Sequence, residues 1–210
     1  MRAAAGRAFR APSAGELAYP FYGNPDLDPE ISRSVEAGVD FETARAALAL
    51  TAFTSKYDDL ITFDPVTFVA ANIDRATIRG AELSVGARFR DTWHVAAAYT
   101  HLQTRDVGTG LPLYRRPRNA ASVTLSYARD AWTASANANA VGRRFERDFD
   151  TFSDRFHGGY VKLDAAGSVR LRASLQLTAR IENLLDREYA EVLAFPAPGR
   201  TVHAGVQYGF

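Results

Sequence analysis

The sequence predicts an all-β fold, an antiparallel up-and-down transmembrane β-barrel. Three observations carry that prediction. Apolar residues recur at every second position through most of the chain. The connections between these runs alternate between short and long. Aromatic residues gather at the short-turn ends of the runs, on their apolar side. Period two is the signature of a strand, because successive side chains point to opposite faces.

The runs follow one another in order. Residues 1–9 read as the end of a strand. In the run 31–42, Val35, Ala37, Val39 and Phe41 oppose Ser34, Glu36, Gly38 and Asp40. A less regular run covers about Ala46–Ile61. Ala81, Leu83, Val85, Ala87 and Phe89 then alternate with Gly80, Glu82, Ser84, Gly86 and Arg88. Another irregular run covers Trp93–Gln103. Ala121, Val123, Leu125 and Tyr127 oppose Ser122, Thr124 and Ser126. Trp132 and the alternate alanines to Ala140 oppose Thr133, Ser135, Asn137 and Asn139. The last three runs begin near Val161, Leu175 and Val202, and the final one carries Val206, Tyr208 and Phe210 on one side. The reading is nine strands plus the N-terminal fragment.

Short connections follow Phe41, Phe89, Tyr127 and Leu171, whereas long ones cover about 62–74, 104–118, 143–159 and 183–198. Short turns on one side and long loops on the other are the plan of an outer-membrane barrel. Phe41, Phe89, Trp93, Tyr127, Trp132, Tyr208 and Phe210 all sit at the short-turn level. Amphipathic rings at one level form an interfacial girdle. The opposite face carries Ser, Thr, Asn, Gln, Gly and Arg, with only two lysines in the chain, a composition that suits a hydrated lumen. The competing reading is a water-soluble antiparallel barrel or sandwich, whose polar face is ordinarily rich in Lys and Glu.

Composition removes other classes. The 210 residues contain 25 Lys plus Arg and 24 Asp plus Glu, so no field of one sign favours nucleic acid. Cysteine is absent, which excludes disulfides, thiolate metal sites and cysteine nucleophiles. No segment reaches the ~20 apolar residues of a membrane helix. His94, His101, His157 and His203 lack paired ligand spacing, and no phosphate loop, zinc signature or nucleophile elbow occurs. The expectation is a non-enzyme without metal or cofactor.

The loops supply the candidate ligand residues. Asp148, Asp150 and Asp154 cluster with Arg143, Arg144, Arg147 and Arg155, reading either as a ligand- or cation-binding loop or as a solvated loop with compensating charges. Arg115, Arg116 and Arg118 form a basic patch suited to lipopolysaccharide phosphates or an anionic ligand. The residues singled out for ligand contact are Arg115, Arg116, Arg143, Arg144, Asp150 and Asp154.

Two sets of motifs carry a family resemblance. One is Phe9-Arg10-Ala11-Pro12-Ser13, then Gly23-Asn24-Pro25-Asp26-Leu27-Asp28-Pro29-Glu30, then Ser32-Arg33-Ser34-Val35-Glu36-Ala37-Gly38. The other is Ile181-Glu182-Asn183-Leu184-Leu185-Asp186-Arg187-Glu188-Tyr189, followed by Pro198-Gly199-Arg200 and Phe210. Together they resemble the barrel of TonB-dependent outer-membrane receptors. Most of these residues also read as architecture: prolines that set turns, and Asn183 and Asp186 at a strand-to-loop junction. The resemblance implies outer-membrane uptake of a scarce nutrient, a ferric siderophore or cobalamin. It also implies a terminal signal, Tyr208 and Phe210, read by the barrel-assembly machinery. Such barrels have about 22 strands and a plugged lumen. Residues 1–210 are therefore expected to be the C-terminal part of such a barrel, with plug and signal peptide absent and TonB reached only through that plug. Outer-membrane lipid and lipopolysaccharide are the expected surroundings. The alternative is a complete small passive pore or structural barrel.

Overall fold

The computed structural model describes residues 1–209, with Asp74 described by its backbone only. The chain begins with β1 (Arg2–Arg10), a short helix α1 (Ala14–Ala18), β2 (Glu30–Glu42), β3 (Ala46–Phe63), β4 (Ala70–Phe89) and β5 (Trp93–Asp106). It continues with β6 (Asn119–Arg129), β7 (Trp132–Val141), β8 (Arg144–Asp148), β9 (Ser153–His157), β10 (Tyr160–Arg172) and β11 (Leu175–Glu182). The last elements are β12 (Ala190–Val192), β13 (Phe195–Pro196) and β14 (Thr201–Tyr208). One ten-stranded sheet runs in the order β1-β2-β3-β4-β5-β6-β7-β10-β11-β14, each pair antiparallel. β1 and β14 are its two edges, so the wall is a partial barrel rather than a closed one.

The register places the alternating residues as the sequence predicts. Val39 pairs with Leu50, Leu50 with Leu83, and Leu83 with Tyr99, all on one face. Phe89 pairs with Trp93, and Trp93 with Tyr127. Phe89 and Trp93 lie parallel with centroids 6.0 Å apart, and Tyr127 tilts against Trp93 at 4.9 Å, which makes part of the girdle a continuous aromatic strip. Phe41, Trp132 and Tyr208 are exposed at the same level. Phe210 lies outside the described residues.

This apolar face has nothing packed over it. Val39, Leu50, Val161, Val202 and Val206 are exposed, and Val206 reaches 70%. The buried apolar residues are Leu27, Ile61, Ala70, Ala76, Leu113 and Phe145, all at the long-loop end. A soluble sandwich would bury that face between layers. An apolar skin one residue deep, backed by a paired backbone, instead suits hydrocarbon surroundings.

The polar face is cross-linked by its own side chains. Arg2 donates to Thr51 Oγ1 at 2.5 Å and ion-pairs with Asp40 at 3.2 Å. Asn137 donates to Thr124 Oγ1 at 2.7 Å and accepts from Asn139. Lys162 meets Asp164 at 3.2 Å, and Arg180 meets Glu182 at 2.6 Å.

The N-terminal fragment forms a tenth strand, with β1 paired to β2 over its described length. Two expectations needed correction. The spans 62–74 and 104–118 are not loops throughout, because β3 and β4 run to 18 and 20 residues and enter the first, and β5 runs on to Asp106 in the second. A tilted membrane strand needs only ~9–11. The excess carries the β3–β4 hairpin well beyond the apolar band, where hydrophobic alternation is no longer required. Finally, the spans 143–159 and 183–198 contain the small hairpins β8–β9 and β12–β13. The helix α1 was also not foreseen. Ser13 and Glu16 form a capping box, with Ser13 N–H donating to Glu16 at 2.8 Å.

Candidate functional site at the long-loop end

The long connections converge above one end of the wall. The β3–β4 turn is closed by Asp64, whose carboxylate accepts from Val66 N–H at 2.8 Å and from Thr67 O–H at 2.7 Å. Burial pushes this carboxyl up, but those hydrogen bonds and nearby Arg147 outweigh it and hold it below the ordinary range. The β5–β6 connection turns on Asp106, which accepts from Gly108 N–H at 2.8 Å and Thr109 O–H at 2.7 Å. Gly110 follows with φ +75°, a left-handed backbone that glycine adopts without strain. Leu113 N–H then donates to Thr104 Oγ1 at 3.1 Å, tucking Leu113 inward and presenting Tyr114.

The β8–β9 hairpin supplies the opposite wall. Phe145 is buried and stacks on Tyr114, with centroids 5.3 Å apart and planes 5° from parallel. Arg115 N–H donates to Phe145 O at 2.9 Å, joining the two connections through backbone. Tyr114 O–H donates to Asp154 Oδ1 at 2.9 Å, and Arg147 reaches the same oxygen at 3.2 Å. Burial, reinforced by that hydrogen bond, pushes the Tyr114 hydroxyl up to about 12, so it remains a donor at neutral pH. Arg147 Nε is buried without a partner.

These groups line a cavity of about 410 Å³. Its charged lining is Asp64, Asp106, Asp154, Arg116 and Arg147, and its aromatic lining includes Phe63, Tyr114 and Phe145. A concave apolar wall with a few convergent polar groups is the usual form of a small-molecule site. Rings and fixed donors close together suit a large ligand with polar substituents.

The six expected ligand residues separate. Arg116 and Asp154 line this cavity. Arg115 borders it through its backbone, at φ +57°. Arg143 lies over the Phe156 ring at 5.6 Å. Arg144 is buried beside Glu146, donates to Ala190 O at 2.7 Å and stacks over Tyr160 at 5.7 Å, so it holds the β12 segment down. Asp150 sits at the β8–β9 turn, where its N–H donates to Asp148. Charge clustering in sequence missed Tyr114, Phe145, Asp64 and Asp106. Aromatics inside the Pro-rich 111–117 segment were the available signal for Tyr114, but its partner Asp154 lies 40 residues on.

The second motif does serve architecture. Asn183 is 2% exposed, accepts from Arg187 N–H at 2.9 Å, and donates to Arg187 O at 3.0 Å and Pro198 O at 3.3 Å. Asp186 accepts from Arg200 N–H at 2.7 Å. Both take left-handed backbone, φ 50° and 49°. The motif is a latch that closes the base of the β11–β14 connection. In the first motif, Asn24 likewise donates to Ala70 O at 3.0 Å and accepts from Asp26 N–H.

Comparison with known proteins agrees with this architecture. A vitamin B12 transporter BtuB from Photobacterium profundum is 28% identical over 213 residues, covering 98% of this chain and 34% of its own length. BtuB from Vibrio vulnificus is 30% identical over 217 residues, covering 99% and 34%. The chain thus spans about a third of the relatives it matches. Among solved structures, the copper transporter OprC superposes with TM-score 0.81 at 22% identity, over 99% of this chain and 36% of that one. The siderophore receptor PirA from Acinetobacter baumannii does so with TM-score 0.80 at 19% identity, over 99% and 38%. Residues 1–184 match the model of the TonB dependent receptor-like β-barrel, so the chain belongs to that family of bacterial outer-membrane barrels.

Proposed function

We propose that this chain forms part of the wall and the ligand-capturing loops of a TonB-dependent receptor that imports cobalamin. The loop cavity carries the reading. Its lining holds three carboxylates and two guanidiniums beside a stacked Tyr114–Phe145 pair. Such a balance suits a bulky, amide-rich, nearly neutral ligand, and opposes a highly anionic ferric chelate by like charge. The similarity to vitamin B12 transporters supports the same choice over a ferric siderophore. In this reading the polar face of the sheet lines the passage, while the plug and its TonB contact come from other segments of the receptor.

Equilibrium binding of radiolabelled cyanocobalamin to outer membranes carrying the protein tests the reading. Saturable binding, weakened at least tenfold by Tyr114→Ala and Arg147→Ala together, is expected. Binding of a ferric catecholate with no cobalamin binding would replace the ligand. Ion conductance without any nutrient binding would favour a passive pore and overturn the proposal.

A further inference from the structure

The apolar face of β1–β5 ends in a row of cations. Odd-numbered residues of β2, β4 and β5 share that face with even-numbered residues of β3, through unbroken pairing over the relevant stretch. At the long-loop end Arg7 pairs with Arg33, and Arg33 with Lys56. Thr54 pairs with Arg79, Asp58 with Arg75, and Thr77 with both Lys56 and Arg105. All six cations are exposed. Five adjacent strands thus gather positive charge at their long-loop ends: Arg7, Arg33, Lys56 and Arg105 share one pairing line through Thr77, with Arg79 and Arg75 two residues to either side. Asp58 is the acid among these described side chains, 2.6 Å from Arg33. Among the described side chains, Arg7, Lys56, Arg79 and Arg105 have no ion pair. On the polar face, by contrast, Arg2, Lys162 and Arg180 each have a carboxylate.

The height of the row is physically informative. Ten residues separate Phe89 in the short-turn girdle from Arg79. At ~3.3 Å per residue and a tilt near 40°, that is about 25 Å along the membrane normal, the height of the apolar band of such barrels. No charged residue interrupts this face between the two levels on β1–β5. The same face of β6, β7, β10, β11 and β14 carries Asn119, Ala140, Val161, Ile181 and Val202 near its long-loop ends, and no cation there. The cations therefore sit where headgroup phosphates begin, on the long-loop side, and on one half of the wall only.

We infer that the row Arg7–Arg33–Lys56–Arg79–Arg75–Arg105 binds the phosphates of an outer-leaflet glycolipid, the bisphosphorylated lipid A portion of lipopolysaccharide. Its acyl chains lie along the surface beneath, formed by exposed Val35 and Leu50 and half-buried Leu83 and Val95. Guanidinium groups suit this task because their fixed donors match phosphate oxygens in pairs. This site differs from the Arg115–Arg116–Arg118 patch, whose Arg116 turns into the loop cavity. The inference does not rest on the nutrient reading.

Retention of lipid tests it. The full chain in nonionic detergent micelles is titrated with bisphosphorylated lipid A, its dephosphorylated form, or phosphatidylglycerol, and bound lipid is read by native mass spectrometry. Two variants with equal charge loss are compared, R7Q/K56Q/R79Q/R105Q on the apolar face and R2Q/R88Q/R170Q/R180Q on the polar face. A surface cation is worth roughly a factor of five in affinity for anionic lipid. The apolar-face variant is expected to lose bisphosphorylated lipid A at least tenfold, and the polar-face variant less than threefold. If the fourfold apolar-face variant loses sheet circular dichroism, R79Q and R105Q singly are read instead, at about fivefold each. Equal loss in both variants, no binding by the parent, or equal retention of dephosphorylated lipid A or phosphatidylglycerol overturns the inference.

Discussion

Leu83→Arg is the sharpest test of which side of the sheet meets lipid. Leu83 is six residues from Phe89 and four from Arg79. At ~3.3 Å per residue and ~40° of tilt, it lies about 15 Å above the girdle and about 10 Å below the cation row. That is near the middle of the apolar band, where an outward Arg costs ~2–4 kcal/mol. With ~1.4 kcal/mol per tenfold, the folding equilibrium constant falls by roughly 30- to 700-fold. Ala81→Arg sits on the same face only two residues from Arg79, about 5 Å below it, and is expected to cost ~0–1 kcal/mol. Ser84→Arg adjoins Leu83 but faces the polar side between Ala49 and Ala98. Its expected cost is within ~0.5 kcal/mol. The assay is urea unfolding of the chain in phospholipid vesicles, followed by emission from Trp93 and Trp132, the only tryptophans. Whatever pairs the two sheet edges in the vesicle is common to all variants, so the differences report the face alone. Equal costs for Leu83→Arg and Ala81→Arg would mean that packing, not membrane depth, sets the penalty. A Ser84→Arg penalty as large as that of Leu83→Arg would falsify the assignment of faces.

Asn183→Ala removes three hydrogen bonds from a side chain 2% exposed and is expected to cost ~2–4 kcal/mol. Hydrogen exchange should then rise across 183–200 while β3 and β4 stay protected. Glu146→Ala leaves the buried Arg144 without its carboxylate neighbour and Leu193 N–H without its 2.7 Å acceptor. A local loss of ~3–5 kcal/mol is expected, seen as rapid proteolysis at 190–196. An ultraviolet pH titration should show a tyrosine step near pH 12, and Tyr114→Phe should remove it. Because its folded value is raised, its contribution to loop order holds below about pH 10 and is lost as pH rises through 12. Asp64 behaves oppositely: its folded value is lowered, so its contribution is present above the ordinary carboxylate range and is lost as pH falls through the lower folded value. Protection of the Val66 and Thr67 amides should fall together as the pH drops through that lowered value, and protection unchanged in Asp64→Ala would refute the turn's dependence on Asp64.

The strands, their faces and the girdle were legible in the sequence because each is a local property. Alternation fixes which side a residue takes once a strand forms, so Phe41, Trp93 and Trp132 are placed by parity alone. The latch was legible too, since Asn183, Asp186 and Gly199 act within one connection. The helix α1 was readable from Ser13 and Glu16, a signal obscured by the prevailing β pattern. Only the tertiary structure decided the rest. Past the apolar band nothing selects period two, so the lengths of β3 and β4 are set by pairing with each other. The cavity joins Asp64, Tyr114 and Asp154 from three connections, across separations that no spacing rule encodes. Arg143, Arg144 and Asp150 are close to Asp154 in sequence, yet the β8–β9 hairpin turns them to other tasks. The cation row likewise exists only through register: Arg7, Arg33, Lys56, Arg79 and Arg105 are scattered charges along the chain, and cross-strand pairing alone gathers them at the long-loop end of one face. Sequence determines what each strand shows to either side, and the pairing of strands determines which of those side chains act together.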